Sequence, residues 1–167
     1  MDIKMTMDGL DDLRKAFEKA SEETREKVYK VVEASTMRVW GSAKNRIQRG
    51  PKTGTVYYRI PGDNYMTVRA GSADGPPVAF IPGGGSHNLS PVHQASKPGE
   101  APATDSGNLA NSIFWKAEKG EGYVFTNEKY GAYLEFGTSQ MEPRPFLFPS
   151  MEEQAPQFKR ELSEVLK

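Results

Sequence analysis

The sequence predicts an α+β fold: helices on one face of a small antiparallel sheet, with a long Gly/Pro-rich arm between them. Three observations predict it. Apolar residues recur at steps of three and four from residue 10 to residue 49 and again from residue 148 to residue 165. Two runs flanking Gly120-Glu121 alternate with a period of two. Most of the proline and glycine falls between residues 52 and 104, where no apolar period exists.

The N-terminal region is helical in pattern. Leu10, Leu13 and Phe17 fall at i, i+3 and i+7 and make one apolar stripe on a short helix. Ser21, followed by Thr24, caps a second helix, with Glu22 and Glu23 near the positive end of its dipole. Val28, Val31 or Val32, Ser35, Val39 and Ala43 carry the stripe on to Ile47, and Gly50-Pro51 ends it. Such a helix has about 26 residues and is about 39 Å long, more than one small core covers. Trp40 and Met37 lie off the stripe. That second, partly apolar side faces either a loop of the same chain or another subunit.

Residues 52–104 read as an extended loop or hairpin arm within a single domain spanning residues 1–167. Thr55–Ile60 and Tyr65–Ala70 favour strand and are separated by Pro61-Gly62-Asp63-Asn64, so they are expected to pair as a hairpin. The rest of the arm has no period and few large apolar residues, so a long loop or partly disordered arm is expected, and a connection this long inside a compact domain points to a functional segment.

Regular structure returns after Asp105. Ser112–Lys119 and Gly122–Asn127 make an antiparallel pair around a tight turn. Ile113, Trp115 and Ala117 share one face, and Phe114, Lys116 and Glu118 share the other. Lys129–Phe136 is a short helix with Gly137 at its C′ position, where a left-handed residue is wanted. Phe148, Met151, Ala155, Phe158, Leu162 and Val165 line a C-terminal amphipathic helix. Pro156 interrupts it, and its ring is expected to kink or split the helix near Gln154.

Composition narrows the function. The apolar fraction of 37% is low for a chain of 167 residues filling one core, which fits an arm outside it. Lysine plus arginine equals aspartate plus glutamate at 22 each, so the broad positive field that holds nucleic acid nonspecifically is missing. There is no cysteine, which removes disulfides, thiolate metal sites and cysteine nucleophiles. The opening MDIKMTMDGLDDL has no apolar signal-peptide core and no run approaches the ~20 apolar residues of a membrane span, so a soluble protein made in the cytoplasm is expected.

Catalytic patterns are sparse. His87 and His93 are the two histidines, six residues apart in the arm, and their spacing matches neither a helical nor a finger-like metal site. The glycine-rich Pro82–Ser86 lacks the following Lys-Ser/Thr of a phosphate loop. No serine sits in a nucleophile elbow. Glu135 is the one carboxylate in an apolar setting: either burial makes it a general acid or base, or it pairs with Arg144 across the Gly137 turn or with a neighbouring subunit.

Three segments carry a family resemblance: HQASKPGEAPATDSGNLANSI (His93–Ile113), YGAYLEFGTS (Tyr130–Ser139) and RPFLFPSMEE (Arg144–Glu153), preceded by MDGLDDLRKAFEKA. Together they resemble the head–tail joining (neck or tail-completion) proteins of long-tailed bacteriophages. The family pattern appears at Pro102, Thr104 or Asp105, Gly107, Leu109, Ser112 and Ile113, and then from Tyr130 to Pro149. It departs in Ser106 for threonine and in Gly131 and Ser150 for alanine.

The resemblance implies a structural virion protein with no catalytic residue, cofactor or metal. It would be assembled in the bacterial host cytoplasm into a hexameric or dodecameric ring at the neck. Its neighbours would be head-closure or connector proteins on one side and tail terminator or tail-tube proteins on the other, with no membrane and no sequence-specific nucleic acid. A ring needs two different complementary surfaces on each subunit. Trp40, Tyr133, Glu135, Phe136, Arg144 and Phe146 are the residues expected at a subunit or partner interface, with Arg144 and Phe146 as hot-spot types held by prolines. Two other classes compete with it: a metal-dependent phage hydrolase or nuclease using Glu135 with His87 or His93, and a small regulatory or antitoxin-like binding module.

Overall fold

The computed structural model describes Lys15 and residues 20–54, 56–59, 78–81, 85–88, 90–118 and 120–167. The helix expected around Leu10, Leu13 and Phe17 and the strand expected at Tyr65–Ala70 lie outside the described residues. The fold is α+β, as the periodicities predict.

The long helix α1 runs Glu22–Arg49, 28 residues. Ser21 is its N-cap and its hydroxyl accepts from the Thr24 amide at 3.3 Å, while Glu22 and Glu23 occupy the first turn and Arg46 and Arg49 the last. Of the stripe read from the sequence, Val28, Val32 rather than Val31, Ser35, Ala43 and Ile47 are buried, Val39 is half-buried, and Thr36 joins the buried face. Thr36 is satisfied by donating to the Val32 carbonyl one turn back.

Four short strands follow: β1 (Val56–Arg59), β2 (Val78–Ile81), β3 (Gly85–Asn88) and β4 (Ser90–Gln94). The strands β2, β3 and β4 stand where the sequence pattern indicates loop, and the expected partner of β1, Tyr65–Ala70, lies outside the described residues. β1 takes β4 as its antiparallel partner, and β2 pairs with β3. The base of the arm, next to the β1–β4 ladder, is tied by further hydrogen bonds. There the Gly54 amide donates to the Ala95 carbonyl at 2.9 Å, and Glu100 accepts from the amides of Thr53 (3.1 Å) and Lys97 (2.8 Å). The ladder shifts register between Tyr57 and Tyr58, where Pro91 stands opposite and has no amide to donate.

After the one-turn helix α2 (Asn108–Asn111), β5 (Ile113–Glu118) and β6 (Glu121–Thr126) form the second predicted hairpin, in register from Ile113 opposite Thr126 to Glu118 opposite Glu121. Both strands pack on α1. The approach is close enough that a Cβ on Gly122 would stand 1.9 Å from the Thr36 hydroxyl. The opposite face of the hairpin leaves Phe114 and Phe125 exposed, paired across the strands with ring centroids 6.1 Å apart.

The helix α3 (Tyr130–Phe136) leads through Gly137 to the C-terminal helix α4 (Phe148–Val165), which packs along α1. Pro156 does not split α4, which is unbroken over 18 residues. Pro156 is exposed, and ties to α1 flank it on both sides. Arg46 and Ser42 meet Glu153 at 2.9 Å, and Arg38 meets Glu161 at 2.6 Å. Those ties and the half-buried Met151, Phe158 and Leu162 hold the helix against the missing hydrogen bond and the ring clash. Pro156→Ala is accordingly expected to raise stability by about 1–3 kcal/mol, read as an upward shift of the denaturant midpoint with an unchanged slope.

The same ties give a pH dependence with a definite sign. Hydrogen bonds from Ser42 and then Arg46 hold the Glu153 carboxyl below the ordinary carboxylate range, and Gln157 and then Arg38 do so for Glu161. Thr53 and the Lys97 amide depress Glu100 in the same way. A carboxyl whose pKa is lower folded than unfolded contributes stability above its unfolded pKa and loses it as pH falls through the folded value. The thermal midpoint is expected to fall on acidification from about pH 5 to about pH 3, and the Glu153→Gln/Glu161→Gln double variant to show a smaller fall. An equal fall in both proteins would remove the helix–helix ties as its cause.

Candidate functional site

The core shows what the quoted motifs build. Ala43 and Ile47 of α1, Ala101, Leu109, Ala110 and Ile113 of the middle motif, and Phe146 and Leu147 of the closing motif are buried in one cluster. Thr104 donates to the Ile47 carbonyl at 3.0 Å, satisfying one of the open acceptors at the end of α1. Ser112 donates to the Leu109 carbonyl and shares a 2.7 Å hydroxyl contact with Thr126, which joins α2 to β6.

Glu135 sits at the centre of the closing motif and is only 4% exposed. Its Oε2 accepts from the amides of Phe146 (2.8 Å) and Leu147 (2.9 Å), and its Oε1 from the amide of Phe148 (2.7 Å). These are the amides that open α4, whose N-cap residue Leu147 supplies no side-chain cap. Pro149 follows and has no amide to satisfy. The carboxylate of one helix therefore caps the next, on the positive end of its dipole. Glu135 does not pair with Arg144, because its two oxygens are taken up by backbone. Arg144 instead donates its amide to the Leu134 carbonyl at 2.6 Å and its Nε to the Ser96 carbonyl at 3.3 Å.

Gly137 makes this return possible. It ends α3 as expected, with its amide on the Tyr133 carbonyl, but its φ of 75° and ψ of −176° are extended rather than left-handed helical. That region is open to glycine alone. A Cβ there would lie 2.7 Å from the Met141 carbonyl oxygen, which receives the Thr138 amide in the tight turn that follows.

The six expected interface residues separate into three groups. Phe146 is fully buried and Glu135 nearly so, because the chain folds back after Gly137, carries Phe146 inward and lays its backbone over Glu135. Trp40 is half-buried: its indole N–H donates to the Ile113 carbonyl at 2.9 Å, and the Lys44 ammonium lies 4.9 Å from its ring centroid. Arg144 is half-buried too. Tyr133 and Phe136 remain outside, 56% and 61% exposed.

Two further aromatics join them that the sequence reading left out of the interface, Phe114 and Phe125. Phe125 and Tyr133 line a common groove of about 300 Å³ between β6 and α3, with Ala132 and Leu147 at its base and Glu128 and Lys129 beside it. The two-residue alternation of β5 and β6 carried the signal, since it placed Phe114 on the face opposite Ile113.

Among the described residues no three His, Cys, Asp or Glu side chains gather as metal ligands, and no helix is long and apolar enough to cross a membrane. Comparison with protein-family models, with curated proteins and with solved structures finds no match to the chain.

Proposed function

We propose that the protein is a non-enzymatic structural component of a long-tailed bacteriophage virion, one subunit of a ring at the neck that joins the DNA-filled head to the tail. The resemblance of the middle and closing motifs suggests the class. The observation that supports the reading is the exposed aromatic set Phe114, Phe125, Tyr133 and Phe136, in which Phe125 and Tyr133 line one groove between β6 and α3 and Phe114 pairs with Phe125.

Four aromatics exposed by roughly half present on the order of 400 Å² of apolar surface. That lies in the size range of patches that mark interaction sites and is about half of one side of a standard interface. It suits an apolar centre surrounded by a polar rim, which Asn127, Glu128 and Lys129 supply along the groove. The expected partners are a neighbouring subunit of the ring, the head-closure or connector proteins above it and the tail terminator or tail tube below.

The test is the Tyr133→Ser/Phe136→Ser double variant. It is expected to fold as a monomer with a near-unchanged thermal midpoint and to fail to enter a hexameric or dodecameric ring when head and tail partners are supplied, as read by light scattering and by cryo-electron microscopy of the neck. Normal incorporation of the double variant would exclude the aromatic set as the docking surface. Absence of the wild-type chain from purified virions, or stoichiometric zinc or manganese with nuclease activity, would overturn the neck reading itself.

A further inference from the structure

A second cleft, about 410 Å³, opens against the other side of α3, where Tyr130 and Leu134 line it. Its remaining walls are the end of β4 and the chain from Pro102 to Ala110. Leu109 and Leu134 give it an apolar wall, and Arg144 stands in its lining.

Arg144 is set apart by its lack of an acidic partner. Four arginines are half-buried among the described residues: Arg25, Arg38, Arg46 and Arg144. The first three pair with Glu22, Glu161 and Glu153, whereas Arg144 has no carboxylate in ion-pair range among the described residues. Its backbone is fixed by Leu134 and its Nε by Ser96, so the guanidinium plane is held while the two terminal nitrogens stay uncommitted. Asp105, the acidic residue of the lining, is turned to the solvent with its side chain 80% exposed, and lies 3.8 Å from His93.

We propose that this cleft is a carboxylate-binding site, in which the Arg144 fork takes both oxygens of one carboxylate and the apolar wall takes a short aliphatic stem. A planar, pre-oriented guanidinium suits a carboxylate in a two-point contact that lysine does not reproduce. Asn108 and Tyr130 add donors at the wall. The Tyr130 phenol is protonated at neutral pH like any tyrosine, and burial and then the charge of Glu128 push its pKa further up. The carboxylate comes either from a small free acid or from an acidic side chain of a second copy of this chain. The proposal stands independently of the neck reading.

The experiment follows the Arg144 Nε–Hε cross-peak by NMR in the full chain at constant ionic strength. Sodium butyrate is titrated, sodium phosphate is the comparison anion, and a protein dilution series is run without added acid. A free-acid site gives a saturable millimolar response to butyrate that is independent of protein concentration. A site filled by a second copy gives a peak that moves on dilution, and saturating butyrate brings it to one common position at every protein concentration. Arg144→Lys is expected to weaken the butyrate response, followed on the Leu109 and Leu134 methyl peaks, by about tenfold or more. Three outcomes would overturn the proposal: no saturable or concentration-dependent shift in the wild type, saturation by phosphate at lower concentration than butyrate, or equal butyrate binding by Arg144→Lys. If that variant does not fold, the wild-type titrations decide alone.

Discussion

Glu135→Ala is expected to lower the thermal midpoint by about 10 °C, corresponding to a loss of about 3–5 kcal/mol. The carboxylate accepts three backbone amides at 2.7–2.9 Å from a position 4% exposed to solvent. Hydrogen bonds to a charged acceptor contribute about 1.5–3 kcal/mol each in isolation, and they do not add fully when they share one group. Removing the acceptor costs more than the bonds alone, because the Phe146 and Leu147 amides are left buried without partners. Glu135→Gln separates the two components. It keeps one acceptor oxygen but turns an NH2 donor toward an amide donor, so it should fall between wild type and Glu135→Ala. Differential scanning calorimetry reads both variants, and a midpoint within about 2 °C of wild type for Glu135→Ala would refute the capping role.

Phe146→Ala is expected to be comparably severe, at about 3–5 kcal/mol and again roughly 10 °C. The ring is fully buried among Ala43, Ile47, Leu109, Ala110 and Ile113, and its neighbours are backbone-fixed helix and strand residues with little freedom to collapse into the space. Phe146→Leu, which fills most of the volume, should cost less than half as much. The informative comparison is with Phe136, ten residues earlier and 61% exposed. Phe136→Ser is expected to change stability by no more than about 0.5 kcal/mol, so the same residue type divides into a packing role and a surface role. Equal losses at the two positions in urea denaturation would contradict that division.

These two residues also mark where the sequence was readable. Glu135 stands out as a carboxylate among apolar neighbours, but the sequence reading favours a place on the polar edge of the short helix, whereas the residue is buried. Its partner was not readable. The amides it binds are 11 to 13 residues away, and backbone amides carry no side-chain signature. Arg144 was the visible opposite charge, yet its side chain is engaged with the Ser96 carbonyl 48 residues earlier. Phe146 and Phe136 look alike in a one-dimensional pattern. Only the direction of the chain after Gly137 separates them.

The arm gives the same lesson for strands. Thr55–Ile60 was recognised as strand-forming because Val56, Tyr57 and Tyr58 favour extended backbone. One of its antiparallel partners is Ser90–Gln94, more than thirty residues on, where no local turn signal links the two strands. Pro156 predicts a kink or a split near Gln154, because its ring displaces the carbonyl four residues back. The ties from α1 on either side of it were out of view.

What the sequence determined by itself was local: the Ser21 cap, the Val28-to-Ile47 stripe, the Gly50-Pro51 stop, the hairpin around Gly120, the Gly137 terminus and the C-terminal amphipathic pattern. Each rests on interactions within a few residues, where propensity and periodicity act. Tertiary structure alone decided the β1–β4 pairing, the capping of α4 by Glu135, the continuity of that helix through Pro156 and the choice of Phe136 over Phe146 as an outward residue. Those outcomes depend on groups distant in sequence, and their free energies exist only once the chain has brought those groups together.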